Sequence, residues 1–285
     1  MLDFLEATLE HPAVPGRRSA AAGFDDHTAV MSPDSEGLTA QLSGDTIGFG
    51  GGVHGGYLTA IALRAMATML PVARPARSVS LALLTPVRPG SLALLPRLLR
   101  QSPSSTTVTL TASQQGQQVL TGRAVFGHAS ESLDYLGLEM PGVPGPAECA
   151  PVPSELKLGA SAMLLVEHRP AAPPLPLTGS DRAELQMWMR LNEERPLDEL
   201  ALAMIADAGP PALYATLDRY IAMPSYEISI HFSGLAIGSA SPWLLGVFRT
   251  GFAGGGYASE DGALWTEDGQ LAARSQQLRR ILGNT

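Results

Sequence analysis

The hydrophobic and polar positions fall into two successive stretches with the same order of elements. In the first, short β-type runs are expected at Thr28–Met31 and Gly37–Leu42. A glycine-rich segment and an apolar helix over Leu58–Leu70 follow. Four longer runs, Ser78–Leu84, Ser91–Leu99, Ser105–Ser113 and Gln118–Phe126, alternate or are rich in β-branched residues, with Pro89-Gly90 and Gln115-Gly116-Gln117 as turns. In the second, strands are expected at Ser161–His168 and Ala183–Leu191. A helix over Leu197–Ala208 is stopped by Gly209-Pro210-Pro211. Strands then recur at Tyr226–Phe232, Trp243–Thr250, Tyr257–Trp265 and Gln270–Ile281, with Glu267-Asp268-Gly269 as a hairpin signal. Both helices are apolar on most faces, which predicts that they are enclosed, each by a sheet curled around it.

Between the stretches lies Pro141-Gly-Val-Pro-Gly-Pro-Ala-Glu-Cys-Ala-Pro-Val-Pro153, a linker by composition. The expected organisation is a unit over 1–140, a linker over 141–158 and a second unit over 159–285. The repeated order, and short matches such as Gln115-Gly116-Gln117-Gln118-Val119 with Asp268-Gly269-Gln270-Leu271, indicate a duplicated unit.

Composition narrows the function classes. The 285 residues are 45% hydrophobic, enough for a sizeable core, and the net charge of −8 argues against a nucleic-acid partner. Lys157 is the only lysine. The acidic start, Met1-Leu2-Asp3-Phe4-Leu5-Glu6, is unlike a signal peptide. No apolar run is long enough for a bilayer span, because Arg64 interrupts the best one. With the single cysteine, Cys149, this leads to the expectation of a cytoplasmic protein that does not enter membranes. The histidines His54, His128, His168 and His231 lack metal-ligand spacing, and the glycine run lacks a nucleotide-binding context, so no metal or cofactor is expected.

The segment Gly50-Gly51-Gly52-Val53-His54-Gly55-Gly56-Tyr57-Leu58 carries the most chemistry. Glycines allow close backbone approach, and a helix N-terminus presents unpaired N–H groups at its positive end. The Gly55 and Gly56 amides could therefore polarise the carbonyl of an ester or thioester or hold an anion, or the run could simply make a tight turn. His54 is open between a ligand-facing and a turn role. Asp207 is the only acid in Leu202–Tyr214 and, set on an apolar helix, a candidate base. Against that stands an ordinary helix-terminal acid, although such an acid opposes the helix dipole. No Gly-x-Ser-x-Gly elbow occurs, so a serine acyl-enzyme is not expected.

Together these residues resemble a known family. Gly51-Gly52-Val53-His54-Gly55-Gly56-Tyr57-Leu58, Thr85-Pro86-Val87-Arg88-Pro89-Gly90, Trp188-Met189-Arg190-Leu191, Ala206-Asp207, Leu264-Trp265-Thr266-Glu267-Asp268-Gly269 and Leu271-Ala272-Ala273-Arg274-Ser275-Gln276-Gln277 follow in the order found in the acyl-CoA thioesterase II family. The resemblance spans roughly Gly37 to Leu282. It implies an α+β double hotdog fold, with two tandem units that each wrap an antiparallel sheet around a long helix. It implies hydrolysis of an acyl-CoA by an activated water, and a homodimer or higher oligomer. It implies an aspartate, a hydroxyl residue and a glutamine around that water; these fall on Asp207, Ser225 and Gln277, with Gln276, Ser229 and Thr216 as neighbours in register. Position 225 departs from the family's usual threonine.

Pairing the halves by hand sets Val125 against Gln277, Arg77 against Ser225 and Thr68 against Asp207. The first half then lacks the polar set and the second lacks the His-Gly-Gly run, so one composite site per chain is expected. Two alternatives stand beside the thioesterase. One is a non-catalytic acyl-CoA or acyl-chain binding protein, kept open by Ser225. The other is a hotdog hydratase or dehydratase. For it only Ser43-Gly44-Asp45 speaks, since Thr46-Ile47-Gly48-Phe49 replaces the expected continuation.

Overall fold

The computed structural model describes residues 22–34, 37–49, 51–131, 133–152, 160–234 and 239–283. A four-residue helix, α1 (Phe24–His27), precedes β1 (Met31–Asp34) and β2 (Gly37–Leu42). The first central helix is α2 (Gly55–Ala67). Strands β3 (Ala76–Leu83), β4 (Gly90–Gln101), β5 (Ser105–Gln114) and β6 (Gln117–Gly127) complete the first half. The second half has α3 (Ser161–Leu164), β7 (Val166–Ala172), β8 (Glu184–Leu191) and the second central helix, α4 (Glu199–Ile205). A 3-10 turn (Ala212–Thr216) then leads to β9 (Ser225–Phe232), β10 (Leu244–Gly254), β11 (Tyr257–Thr266) and β12 (Leu271–Arg280).

The twelve strands of the described residues form one antiparallel sheet in the order β1-β2-β4-β5-β6-β3-β9-β12-β11-β10-β8-β7. The order reads alike outward from its centre. At that centre β3 pairs with β9, with Ser80 opposite Ser229 and their hydroxyls 3.0 Å apart. This is the double hotdog expected from the sequence, with its two sheets continuous across the β3–β9 seam.

Buried side chains of α2, α4 and the inner faces of both half-sheets make one continuous core. The helices meet closely: a Cβ on Gly56 would lie 2.7 Å from the Met204 carbonyl oxygen. Glycine is required there by the crossing, not by a turn. Among the described residues no helix is long and apolar enough to cross a membrane.

Several local expectations shift. His54 caps α2 by accepting the Gly56 N–H on its side chain, so the helix starts three residues before Leu58. Thr28 ends α1 instead of opening a strand. Ser161 begins a short helix because the first half captures it: its hydroxyl donates to the Gly44 carbonyl at 2.8 Å, and the Ala162 N–H donates to that of Ile47. Pro141–Val152 is no free tether. Met140 and Val143 cover a second apolar cluster, including Trp188, Leu245 and Trp265, on the outer face of the second half-sheet. The Trp188 indole N–H donates to Pro144 O at 2.8 Å. Residues 153–159 of the expected linker lie outside the described residues.

The strand registers replace the hand pairing of the halves. Val79 pairs with Ala124 where, one step before the seam serine in each half, Ile228 pairs with Gln277. Each half then has an irregularity, after which Ala76 pairs with Phe126 and Ser225 with Arg279. Ala124 and Ala76, not Val125 and Arg77, are thus the counterparts of Gln277 and Ser225. The irregularity falls at the same place in both halves and leaves the offset between them unchanged; the hand pairing is one residue out because the weak identity between the halves does not fix the register. Counted from the N-caps His54 and Asp198, the helices set Leu63, not Thr68, against Asp207.

Candidate functional site

A cavity of about 310 Å³ opens where the N-terminus of α2 meets the segment after α4 and the start of β9. Phe49, Val53, Leu58, Leu83, Val87 and Met223 make much of it apolar. Its polar end holds His54, Gly55, Asp207, Ser225, Tyr214 and Arg279. Both halves contribute to its lining.

The glycine run is an ordered loop. Gly48 N–H donates to Gly52 O at 2.8 Å, His54 N–H to Thr46 O at 2.8 Å, and Arg88 Nη1 to Gly51 O at 2.7 Å. Gly51 takes φ +72°, and Gly50 lies outside the described residues. The loop delivers His54 to the cap position, where it is 7% exposed. Because its Nδ1 accepts the Gly56 N–H, Nε2 carries the proton and donates to the Asp207 carbonyl at 3.0 Å. Burial pushes the His54 pKa below its usual value, against the opposing pull of Asp207.

Asp207 follows the last turn of α4 and is 8% exposed. The C-terminus of its own helix disfavours a carboxylate, but the facing N-terminus of α2 compensates: Asp207 Oδ2 accepts the Gly56 N–H at 2.9 Å. This corrects one expectation. The Gly56 amide is engaged by Asp207 and His54 and does not face an oxyanion. The Gly55 N–H has no acceptor among the described residues, and Gly55 lines the cavity. A Cβ on Gly55 would lie 2.7 Å from Asp207 Oδ2 and 2.6 Å from Ile228 Cδ1. The absence of a side chain lets the carboxylate reach the helix end.

Ser225 and Gln277 are brought together. The Ser225 hydroxyl donates to Gln277 Oε1 at 2.6 Å, and Gln277, 2% exposed, stands behind it, away from the cavity wall. The neighbouring alternatives lie elsewhere. Gln276 is on the outer face against Asp261, Ser229 is at the seam, and Thr216 caps its own turn by donating to Leu213 O.

Two residues the sequence reasoning missed complete the cluster. Arg279, 6% exposed, donates from Nη1 to Ser225 Oγ at 3.1 Å and from Nε and Nη2 to Glu260 Oε1 at 3.1 and 2.8 Å. Its Nη2 is 3.7 Å from Asp207 Oδ1. Burial alone would lower the Arg279 pKa, but the Glu260 and Asp207 carboxylates outweigh it and keep the guanidinium charged. The other Glu260 oxygen accepts the Ala212 N–H. The signal was the alternation of β12: Arg279 lies two residues beyond Gln277 and so on the same face. Glu260 lies opposite Gln277 in register. Among the described residues no group of three or more His, Cys, Asp or Glu side chains could hold a metal ion.

Family models match both parts of the chain: the acyl-CoA thioesterase N-terminal domain over residues 43–127 and the acyl-CoA thioesterase C-terminal domain over residues 146–281. A hot dog fold protein of unknown function from Alicyclobacillus acidocaldarius superposes with a TM-score of 0.84 at 28% identity, covering 92% of this chain and 98% of that one. An acyl-CoA thioesterase II, TesB2, from Mycobacterium marinum gives 0.74 at 19% identity, covering 92% and 99%. The tesB protein of Mycobacterium avium subsp. paratuberculosis gives 0.74 at 18%, covering 91% and 98%. At these identities the two mycobacterial proteins speak for the fold alone. No protein of curated function matches the sequence.

Proposed function

The chain belongs to the acyl-CoA thioesterase family and is a thioester hydrolase, and we propose that it cleaves acyl-CoA by direct attack of a water held between Asp207 and Ser225. The observation that carries this is the convergence, at one end of an apolar cavity, of a buried carboxylate, a hydroxyl with a fixed proton and a helix-terminal amide. Ser225 spends its only proton on Gln277 Oε1, so towards the cavity it can only accept. A water there donates one proton towards Ser225 and the other towards Asp207. Asp207 takes its proton as the water oxygen bonds to the thioester carbon. The oxyanion that forms faces the Gly55 N–H, which is preorganised and needs no reorientation. As the carbonyl re-forms, the C–S bond breaks and the thiolate takes the proton from Asp207. Water and thioester become acid and thiol. Neutral His54 acts by holding Asp207 through its backbone carbonyl.

The proposal extends to assembly and place. Among the described residues strands β1 and β7 are the outermost of the sheet, and sheet edges are places where chains can add to one another, which supports association of copies into a homodimer or higher oligomer. A cytoplasmic location fits the net charge of −8 and the single cysteine. The test is a panel of acyl-CoA thioesters of increasing chain length with detection of free thiol. The parent should turn over part of the panel. Asp207→Asn should lose roughly 10²–10⁴-fold in kcat while still binding substrate. Parental turnover by Asp207→Asn would remove the base assignment. Binding of acyl-CoA without turnover by either protein would replace the enzyme with a binding protein.

A further inference from the structure

We propose that Arg279, anchored by Glu260, is a positioning residue for the hydrolysis, fixing the direction of the Ser225 hydroxyl and the place of the Asp207 carboxylate; this rests on the thioesterase reading above. A serine hydroxyl is a free rotor with one proton and two acceptor sites. Arg279 Nη1 donates to the Ser225 oxygen, so the serine proton must leave in the other direction, and it goes to Gln277 Oε1. The chain of bonds Arg279 to Ser225 to Gln277 thus has one polarity. A threonine at position 225 would gain rotamer stiffness from its branched carbon. Here an arginine supplies the constraint from outside.

Glu260 makes the arrangement rigid. One of its oxygens takes both Nε and Nη2 of Arg279, and the other takes the Ala212 N–H of the turn that follows Asp207. The same carboxylate therefore fixes the guanidinium and the segment leading out of the base. A planar guanidinium presents its donors in a fixed fork, so it can hold Glu260 and Ser225 in one geometry.

Stability does not account for the pair. Buried ion pairs are often replaceable by packed apolar side chains at no cost. The molecule contains that replacement already: in the first half Val108 stands where Glu260 stands and Phe126 where Arg279 stands. Both are buried in the same core.

The double variant Glu260→Val with Arg279→Phe therefore tests the role apart from the fold. We expect a thermal midpoint equal to or above that of the parent. KM for acyl-CoA should stay within about twofold, with kcat lowered on the order of 10²-fold, as for a misplaced reacting group. A folded double variant with parental kcat would overturn the proposal. If that variant shows no cooperative melt, Arg279→Lys decides. Its ammonium keeps the charge beside Glu260 but cannot hold Ser225 and Glu260 in one planar fork, so kcat should fall about tenfold at an unchanged midpoint. Parental kcat in Arg279→Lys would equally overturn the role. Parental turnover together with inactive Asp207→Asn keeps the thioesterase reading intact whichever way these variants behave.

Discussion

The two halves share element order, strand register and the positions of their irregularities, yet the inner sheet face of one holds a buried polar cluster and that of the other only apolar packing. Around α4 the inner face of the sheet carries Ser225, Glu260, Gln277 and Arg279. The positions that match them around α2 carry Ala76, Val108, Ala124 and Phe126, all buried in the hydrophobic core. The fold does not need the polar set, since the first half folds the same strands without it. The polar set needs the fold, because its members are satisfied by one another and by the Ala212 N–H that the fold brings to Glu260. The helix ends are divided in the opposite sense. The first half supplies the His54 cap with its glycine amides, and the second caps α4 with Asp198, whose side chain accepts the Ala201 N–H.

The strongest way to break this comparison is to give the apolar half one polar member. Ala124→Gln places an amide in the apolar core, where Val108 and Val79 flank it in register. An unpaired buried amide and the added volume each carry a penalty, so stability should fall by at least about 2 kcal/mol in urea unfolding. An unchanged midpoint would show that the first half retains room for a site.

The reverse change sharpens the contrast. Gln277→Ala gives the second half the residue of the first. It removes the acceptor of the Ser225 proton but leaves Asp207 in place. We expect kcat roughly tenfold lower, equivalent to about 1.4 kcal/mol, a smaller loss than for Asp207→Asn. Equal losses in the two variants would mean that Gln277 does more than orient Ser225.

Much of this was legible in the sequence, for reasons that differ by residue. Alternation and turn residues placed most strands to within a few positions, because a half-buried strand must alternate. His54 and Asp207 stood out as single polar residues beside apolar helices. Gln277 and Ser225 came from resemblance alone, and structure joins them through one hydrogen bond. Glu260 and Arg279 stayed hidden because charged residues on strands usually face solvent, although the alternation of β12 sets Arg279 on the face of Gln277. α3 was hidden for another reason. Its conformation is set by contacts from Ser161 and Ala162 to Gly44 and Ile47, more than a hundred residues away.

The smallest effect concerns the His54 cap of α2. Burial lowers the pKa of His54, while the Asp207 charge and carbonyl raise it and Arg279 lowers it further. Below about pH 6.5 the unfolded chain takes up a proton that folded His54 resists. The unfolded state then binds more protons, so stability falls as pH drops through this window, and above it His54 contributes no pH dependence. Asparagine keeps a capping oxygen without the titration. Thermal midpoints measured at about pH 7 and about pH 5.5 should therefore drop less for His54→Asn than for the parent. Equal drops would assign the acid sensitivity to other groups.

The seam between β3 and β9 has a consequence for mass action. It joins parts that would meet only by collision if the halves were separate chains, and the Gly55 amide and the Asp207 carboxylate come from opposite sides of it. A tether holds such parts at a fixed local concentration regardless of the amount of protein. The composite cavity therefore stays assembled at any dilution, and turnover per molecule does not depend on two halves finding each other.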